Sequence, residues 1–208
     1  MKKVLTSTLN GITAGLMIVI GSSVYLAVSN KVVGAILFSV ALLTICYKGY
    51  SLYTGRIGLL LDNLNKNYIG EMLLGLFGNA IGTIIFGLLI RVSLFTLGET
   101  ATALVELKFS QNFIETLIRG VFCGVLMYVA VSIFKEKNTI AGIIFAIPTF
   151  ILCGFEHSIA DMAYFAIGGE FSLKAFGFIM TVVLGNTLGA LILPLLKLNF
   201  KEKKNEQN

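Results

Sequence analysis

Six apolar stretches follow one another along this chain, at roughly 8–29, 32–61, 71–98, 112–134, 139–166 and 173–198. A helix rises about 1.5 Å per residue and the hydrocarbon core of a bilayer is about 30 Å thick, so each stretch is long enough to cross it. A soluble domain cannot hide so much apolar surface: 56% of the residues are hydrophobic, 13% are charged, and the mean hydropathy is +0.89. Because the apolar character recurs rather than stopping after one leading segment, it predicts an all-α, multi-pass membrane protein and not a signal peptide ahead of a soluble domain.

Charge falls between the stretches and sorts by side. Lys2, Lys3, Lys66, Lys135, Lys137, Lys197, Lys201, Lys203 and Lys204 lie on one side of a six-span arrangement, and Glu99, Glu106 and Glu170 lie on the other. The positive-inside rule then predicts both termini in the cytoplasm of a cell-membrane protein. The net charge of +5 belongs to these loops and the tail, and no basic patch interleaved with aromatics argues for nucleic acid. The tail lysines are placed to meet anionic lipid. Cys46, Cys123 and Cys153 show no metal-ligand spacing, and the scattered phenylalanines carry no cofactor signature.

The chain also repeats itself. Gly78-Asn79-Ala80-Ile81-Gly82 returns as Gly185-Asn186-Thr187-Leu188-Gly189, and the pair Gly11 and Gly15 returns as Gly120 and Gly124. Three spans per repeat is an odd number, so the second copy enters the membrane from the opposite side. One channel domain is expected, with repeats at about 5–99 and 111–199 and a polar tail at 200–208. Glycines four residues apart also serve plain close packing of helices.

Interruptions sit at matching places in the second and fifth spans. Residues 48–58 hold Gly49, Gly55 and Gly58 with Lys48 and Arg56, and residues 154–161 hold Glu156, Asp161 and the one histidine of the chain, His157. Unwound backbone exposes N–H and C=O groups that hydrocarbon cannot satisfy, so both interruptions must line a cavity or be buried in protein. Half-helix N-termini meeting there would attract an anion. A titratable histidine at membrane depth asks for a function, and its reference pKa near ~6.5 suits proton chemistry at neutral pH. An enzyme is not expected, because Ser158 adjoins His157 in poor geometry for a nucleophile and base, and no metal-ligand spacing is present.

Leu52-Tyr53-Thr54-Gly55, the two Gly-Asn-x-x-Gly motifs and Gly154-Phe155-Glu156-His157-Ser158-Ile159-Ala160 together resemble the formate/nitrite transporter family, which includes hydrosulfide channels. The resemblance implies a homopentamer of aquaporin-like protomers, each with its own pore for small monovalent weak-acid anions. It makes His157 the central histidine and Thr54 the central threonine, with constrictions at Phe38, Leu42, Leu52, Tyr53 and Phe150. Apolar rings of that kind favour a species that can become neutral. Glu156 is expected to hold the exposed N–H groups of its unwound segment.

Several positions depart from the family. Displaced by 105 residues, Ser51 stands opposite Glu156 and Arg56 opposite Asp161, where the family usually carries an acid and an asparagine in each half. Arg56 and Asp161 are therefore expected to pair across the repeat axis, since a lone buried charge is far costlier than a pair. The family's lysine seven residues before the proline of the fifth span is here Ala141, ahead of Pro148, and Lys48 is the candidate to replace its charge. These changes leave open a second reading, the same fold conducting a small neutral or cationic solute. The connection from Glu99 to Glu115 reads first as a plain link, and second as a re-entrant or amphipathic cap on the vestibule.

Overall fold

The computed structural model describes the backbone of residues 2–206 and the side chains of residues 3–197. The side chains of Lys201, Lys203 and Lys204, expected to meet lipid, lie outside the described residues. Those described form helices and no strand: α1 (Lys2–Ala27), α2 (Lys31–Lys48), α3 (Tyr53–Ile57), α4 (Lys66–Ser93), α5 (Phe95–Phe109), α6 (Phe113–Lys137), α7 (Ala141–Leu152), α8 (Ser158–Gly168) and α9 (Leu173–Glu206). Five of them, α1, α2, α4, α6 and α9, are long and apolar enough to cross a membrane, and α7 and α8 in series supply the length of a sixth crossing. Helix starts are written in the sequence: Asn30 accepts from Val32 N and Val33 N, Asn65 from Tyr68 N, and Asn112 forms a reciprocal capping box with Glu115.

Two glycine seams define the repeat. α1 lies against α4 and α6 against α9, so closely that no side chain fits between the backbones. A Cβ on Gly15 would stand 2.7 Å from Asn79 O, and one on Gly185 2.6 Å from Leu117 O. We expect Gly15→Val or Gly124→Val to lower the midpoint of thermal unfolding in detergent by the equivalent of at least about 1–3 kcal/mol, the range for overpacked interiors, because the obstructing atoms are backbone. Gly70, which has nothing within 4 Å of its Cβ position, provides the control: Gly70→Ala leaves the midpoint unchanged or raised.

Both interruptions are built the same way. α2 ends on Gly49 and α7 is followed by Gly154, each with φ of 70°, a left-handed conformation that L side chains resist. Extended backbone follows, and a new helix begins at Tyr53 or Ser158. Asn79 holds the first break, its Oδ1 accepting from Tyr53 N at 3.0 Å while its Nδ2 donates to Gly11 O and Ser51 O, both at 2.8 Å. Asn186 repeats the pattern, accepting from Ser158 N at 2.9 Å and donating to Gly120 O at 2.9 Å and Glu156 O at 2.8 Å.

The two halves then diverge. α8 has eleven residues and is buried on nearly every side, with Arg91 of α4 donating to the carbonyls of Ile167 and Gly168 at its far end. α3 has five residues and passes through turns into a short 3-10 helix at Leu61–Asn63, so the second span is not one long helix to residue 61. A single turn brings little dipole, so the paired half-helix field expected from the sequence comes mainly from α8. The connection from Glu99 is largely a helix, closer to the amphipathic cap than to a plain link. α5 turns Gly98, Ala101, Val105 and Lys108 inward at spacings of three and four residues and packs on α8.

Candidate functional site

Two cavities enter the helix bundle from opposite sides of a thin partition. The first, about 480 Å³, is lined by Lys3, Leu42, Ser51, Leu52, Arg56, Glu71 and Lys135 among others. The second, about 220 Å³, is lined by Phe38, Lys108, Phe150, Glu156, His157 and Asp161 among others. Phe38 and Leu42 are one helical turn apart on α2, each 2% exposed, yet they face different cavities. The partition therefore falls between consecutive turns, and the pseudo-symmetric residues Leu52 and His157 sit on its two sides. Tyr53 and Thr54 line neither cavity and are buried between them; the Tyr53 hydroxyl shares a 2.7 Å hydrogen bond with Thr187 of α9.

His157 joins the two broken spans. It is the N-cap of α8, its Nδ1 accepting from Ala160 N at 3.0 Å, and its Nε2 lies 2.8 Å from Thr54 Oγ1 on α3. A backbone N–H can only donate, so Nδ1 is unprotonated and the hydrogen of the neutral ring is on Nε2, where it is given to Thr54. The Thr54 hydroxyl keeps its own hydrogen to give. Phe150 stacks on the imidazole with centroids 5.6 Å apart and planes 13° from parallel, fixing the ring.

The charges are paired differently from the sequence expectation. Arg56 and Asp161 do not meet. Arg56 Nη2 donates to Glu71 Oε2 at 3.2 Å, Nη1 donates to Ser51 Oγ at 3.1 Å, and the guanidinium lies 4.8 Å from the centre of the Tyr68 ring. Asp161 Oδ1 pairs at 2.9 Å with Lys108, which also binds Glu156 Oε2. Nearer partners on α4 and α5 take both charges, so neither has to reach across the repeat axis. Lys48 is exposed at the end of α2 and lines neither cavity, which removes it as the replacement cation. The cation that lines the second cavity beside the two buried carboxylates is Lys108.

Glu156 also has a different task from the one expected. Its carboxylate takes Lys108 and, at 2.7 Å, Gln111 Nε2, while Asn186 holds the unwound backbone. In the sequence Lys108 is marked only as a lysine on the same three-and-four-residue stripe as Gly98, Ala101 and Val105. Glu71 stands on the first turns of α4, with no motif to mark it.

With this geometry in hand, comparison with known proteins is specific. The formate/nitrite transporter family model matches residues 1–198. The uncharacterized transporter YwcJ of Bacillus subtilis strain 168 is 33% identical over 147 residues, covering 64% of this chain and 57% of that protein. The formate channel FocA of Escherichia coli K12 is 26% identical over 190 residues, covering 76% of this chain and 64% of that protein. The chain thus spans less than two thirds of the length of these curated relatives. Among solved structures, a pentameric formate channel with formate bound superposes with a TM-score of 0.79 at 20% identity, covering 100% of this chain and 99% of that one. An FNT family ion channel superposes with a TM-score of 0.72 at 22% identity, covering 95% and 89%. These likenesses establish a shared protomer fold.

Proposed function

The chain belongs to the formate/nitrite transporter family, and from that membership we propose that it conducts small monovalent weak-acid anions, of the formate, nitrite and hydrosulfide class, across the cell membrane. It does so as a homopentamer with one pathway per protomer, built from repeats at about 5–99 and 111–199, with both termini in the cytoplasm. The first vestibule is then the cytoplasmic one. Its lining of Lys3, Arg56 and Lys135 against the single acid Glu71 gives the net positive potential that draws anions in.

The observation that carries this reading is the 2.8 Å bond between His157 and Thr54 at the partition. It sets a hydroxyl, backed by a neutral imidazole, within the partition that an anion crosses between Phe38, Leu42, Leu52 and Phe150. Hydrogen-bond donors without a fixed charge lower the cost of that step without trapping the ion. Arg119, which lines the second vestibule, and Lys108, which offsets the buried acids there, favour this reading over conduction of a neutral or cationic solute.

Uptake into proteoliposomes tests the proposal, comparing formate, nitrite and hydrosulfide with ammonium and urea between pH ~5 and ~8. Weak-acid flux is expected for wild type. His157→Asn should reduce it about tenfold, the worth of one hydrogen bond of about 1.4 kcal/mol at the rate-limiting point. Passage of ammonium or urea alone would overturn the anion assignment.

A further inference from the structure

His157 cannot be the source of a proton for the passing anion. Its Nδ1 is held as an acceptor by Ala160 N, and the hydrogen on Nε2 is given to Thr54. If weak acids cross this partition as neutral molecules, the proton has to come from another group on the same vestibule.

The structure points to Asp161. This residue is 1% exposed and lines the second vestibule from the first turn of α8. Oδ1 is paired with Lys108, whereas Oδ2 is buried and has no hydrogen-bond partner. An ionised carboxylate oxygen left in that state forfeits its hydration with nothing in return. The charge count points the same way, because one lysine stands between two carboxylates, and ionising both leaves a surplus negative charge in the protein interior.

The other groups around the vestibule do not cancel that surplus. Arg119 of α6 lines it but directs its guanidinium at Gly154 O, 3.5 Å away, and makes no ion pair with either carboxylate among the described residues. Gln111 is neutral and serves Glu156. Tyr25 of α1, Tyr164 of α8 and the buried Cys123 of α6 bring no positive charge, and Arg91 of α4 is engaged at the opposite end of α8.

We propose that Lys108, Glu156 and Asp161 together hold one proton, carried on Asp161 Oδ2, and that this oxygen donates it to a weak-acid anion in the second vestibule. The assignment rests on the weak-acid function proposed above. Lys108 draws the anion in, and Oδ2–H, beside the Glu156 carboxylate, offers it the cluster's carboxylic-acid hydrogen. In the transfer the Oδ2–H bond breaks and a bond forms between that hydrogen and the anion's oxygen or sulfur. The neutral acid crosses the partition, and Asp161 remains ionised beside Lys108 until a proton from the aqueous vestibule restores it. Glu156, with Lys108 and Gln111 on its two oxygens, stays ionised throughout.

The test is proton stoichiometry during formate uptake, read by a pH dye trapped in the proteoliposome lumen and compared with protein-free liposomes. Wild type should acidify the lumen by about one proton per formate taken up. Asp161→Asn, which keeps the size and can donate an N–H but not a proton, should take up formate without acidification and only when an ionophore dissipates the charge. Equal acidification in the variant, or formate entry into wild-type vesicles with no protons, would overturn the assignment. A second measurement stands apart from transport: infrared difference spectra of purified wild type should show the C=O stretch of a protonated carboxylic acid at neutral pH, missing in Asp161→Asn. Lack of that band in wild type overturns the proposal even if the variant does not fold. Lack of any weak-acid flux together with a present band would sink the proposed function and leave the protonated Asp161 standing.

Discussion

Lys108→Met is expected to remove the folded protein from detergent extracts. The substitution keeps the length and apolar stem of the side chain and deletes only its charge, leaving Glu156 and Asp161 buried together with no cation between them. Breaking a buried ion pair by deleting one partner costs about 3–5 kcal/mol, because the remaining charge keeps its desolvation penalty and loses its compensation. Here Glu156 keeps its charge and Asp161 Oδ1 loses its partner as well, so the loss should reach the upper end of that range. The triple variant Lys108→Met, Glu156→Gln, Asp161→Asn removes all three ionisable groups and should recover an extractable protein with a defined unfolding midpoint, yet transport little anion. Fluorescence-detected size-exclusion chromatography with thermal challenge reads both outcomes. A single variant as stable as wild type would mean that the lysine is an incidental neighbour of the two acids.

That cluster also marks how far the sequence could be read. Periodic apolar length, the glycine pairs and the two Gly-Asn-x-x-Gly motifs are local signals whose consequences are local too: helices, close seams and the asparagines that pin the breaks. They led to the all-helical fold, the inverted repeat and the interruptions at Gly49 and Gly154. Charge pairing is different, since a charged side chain takes whichever opposite charge the folded chain brings nearest. Arg56 and Asp161 looked like partners because their positions match in the repeats, but Glu71 and Lys108 lie closer for reasons of packing that no spacing records. The same limit hid the role of α5. Its stripe of Gly98, Ala101, Val105 and Lys108 is legible as an inward face, but what that face meets depends on α8 standing next to it.

Asn186→Ala should be the more damaging of two matched substitutions. In each half one asparagine satisfies three backbone groups of the broken segment: Asn79 serves Tyr53 N, Gly11 O and Ser51 O, and Asn186 serves Ser158 N, Gly120 O and Glu156 O. Leaving a buried polar group unpaired costs about 1–3 kcal/mol, so either alanine variant puts at least about 3 kcal/mol at risk if no water enters. Water is what separates the two sites. The first break borders the larger cavity, about 480 Å³, whose lining includes Ser51, so solvent can take over part of Asn79's work. The second borders the smaller cavity, about 220 Å³, and leads into α8, buried along nearly its whole length, and the carbonyl of Glu156 sits beside a carboxylate whose position depends on that segment staying in place. Asn186→Ala should therefore lower the unfolding midpoint further than Asn79→Ala and also abolish weak-acid flux, because it releases His157 from Thr54. Asn186→Asp retains the acceptor for Ser158 N but loses both donors and adds a third acid to the interior, so it should fare no better. Measured midpoints in the reverse order would show that the breaks are held by packing of their neighbours rather than by these amides.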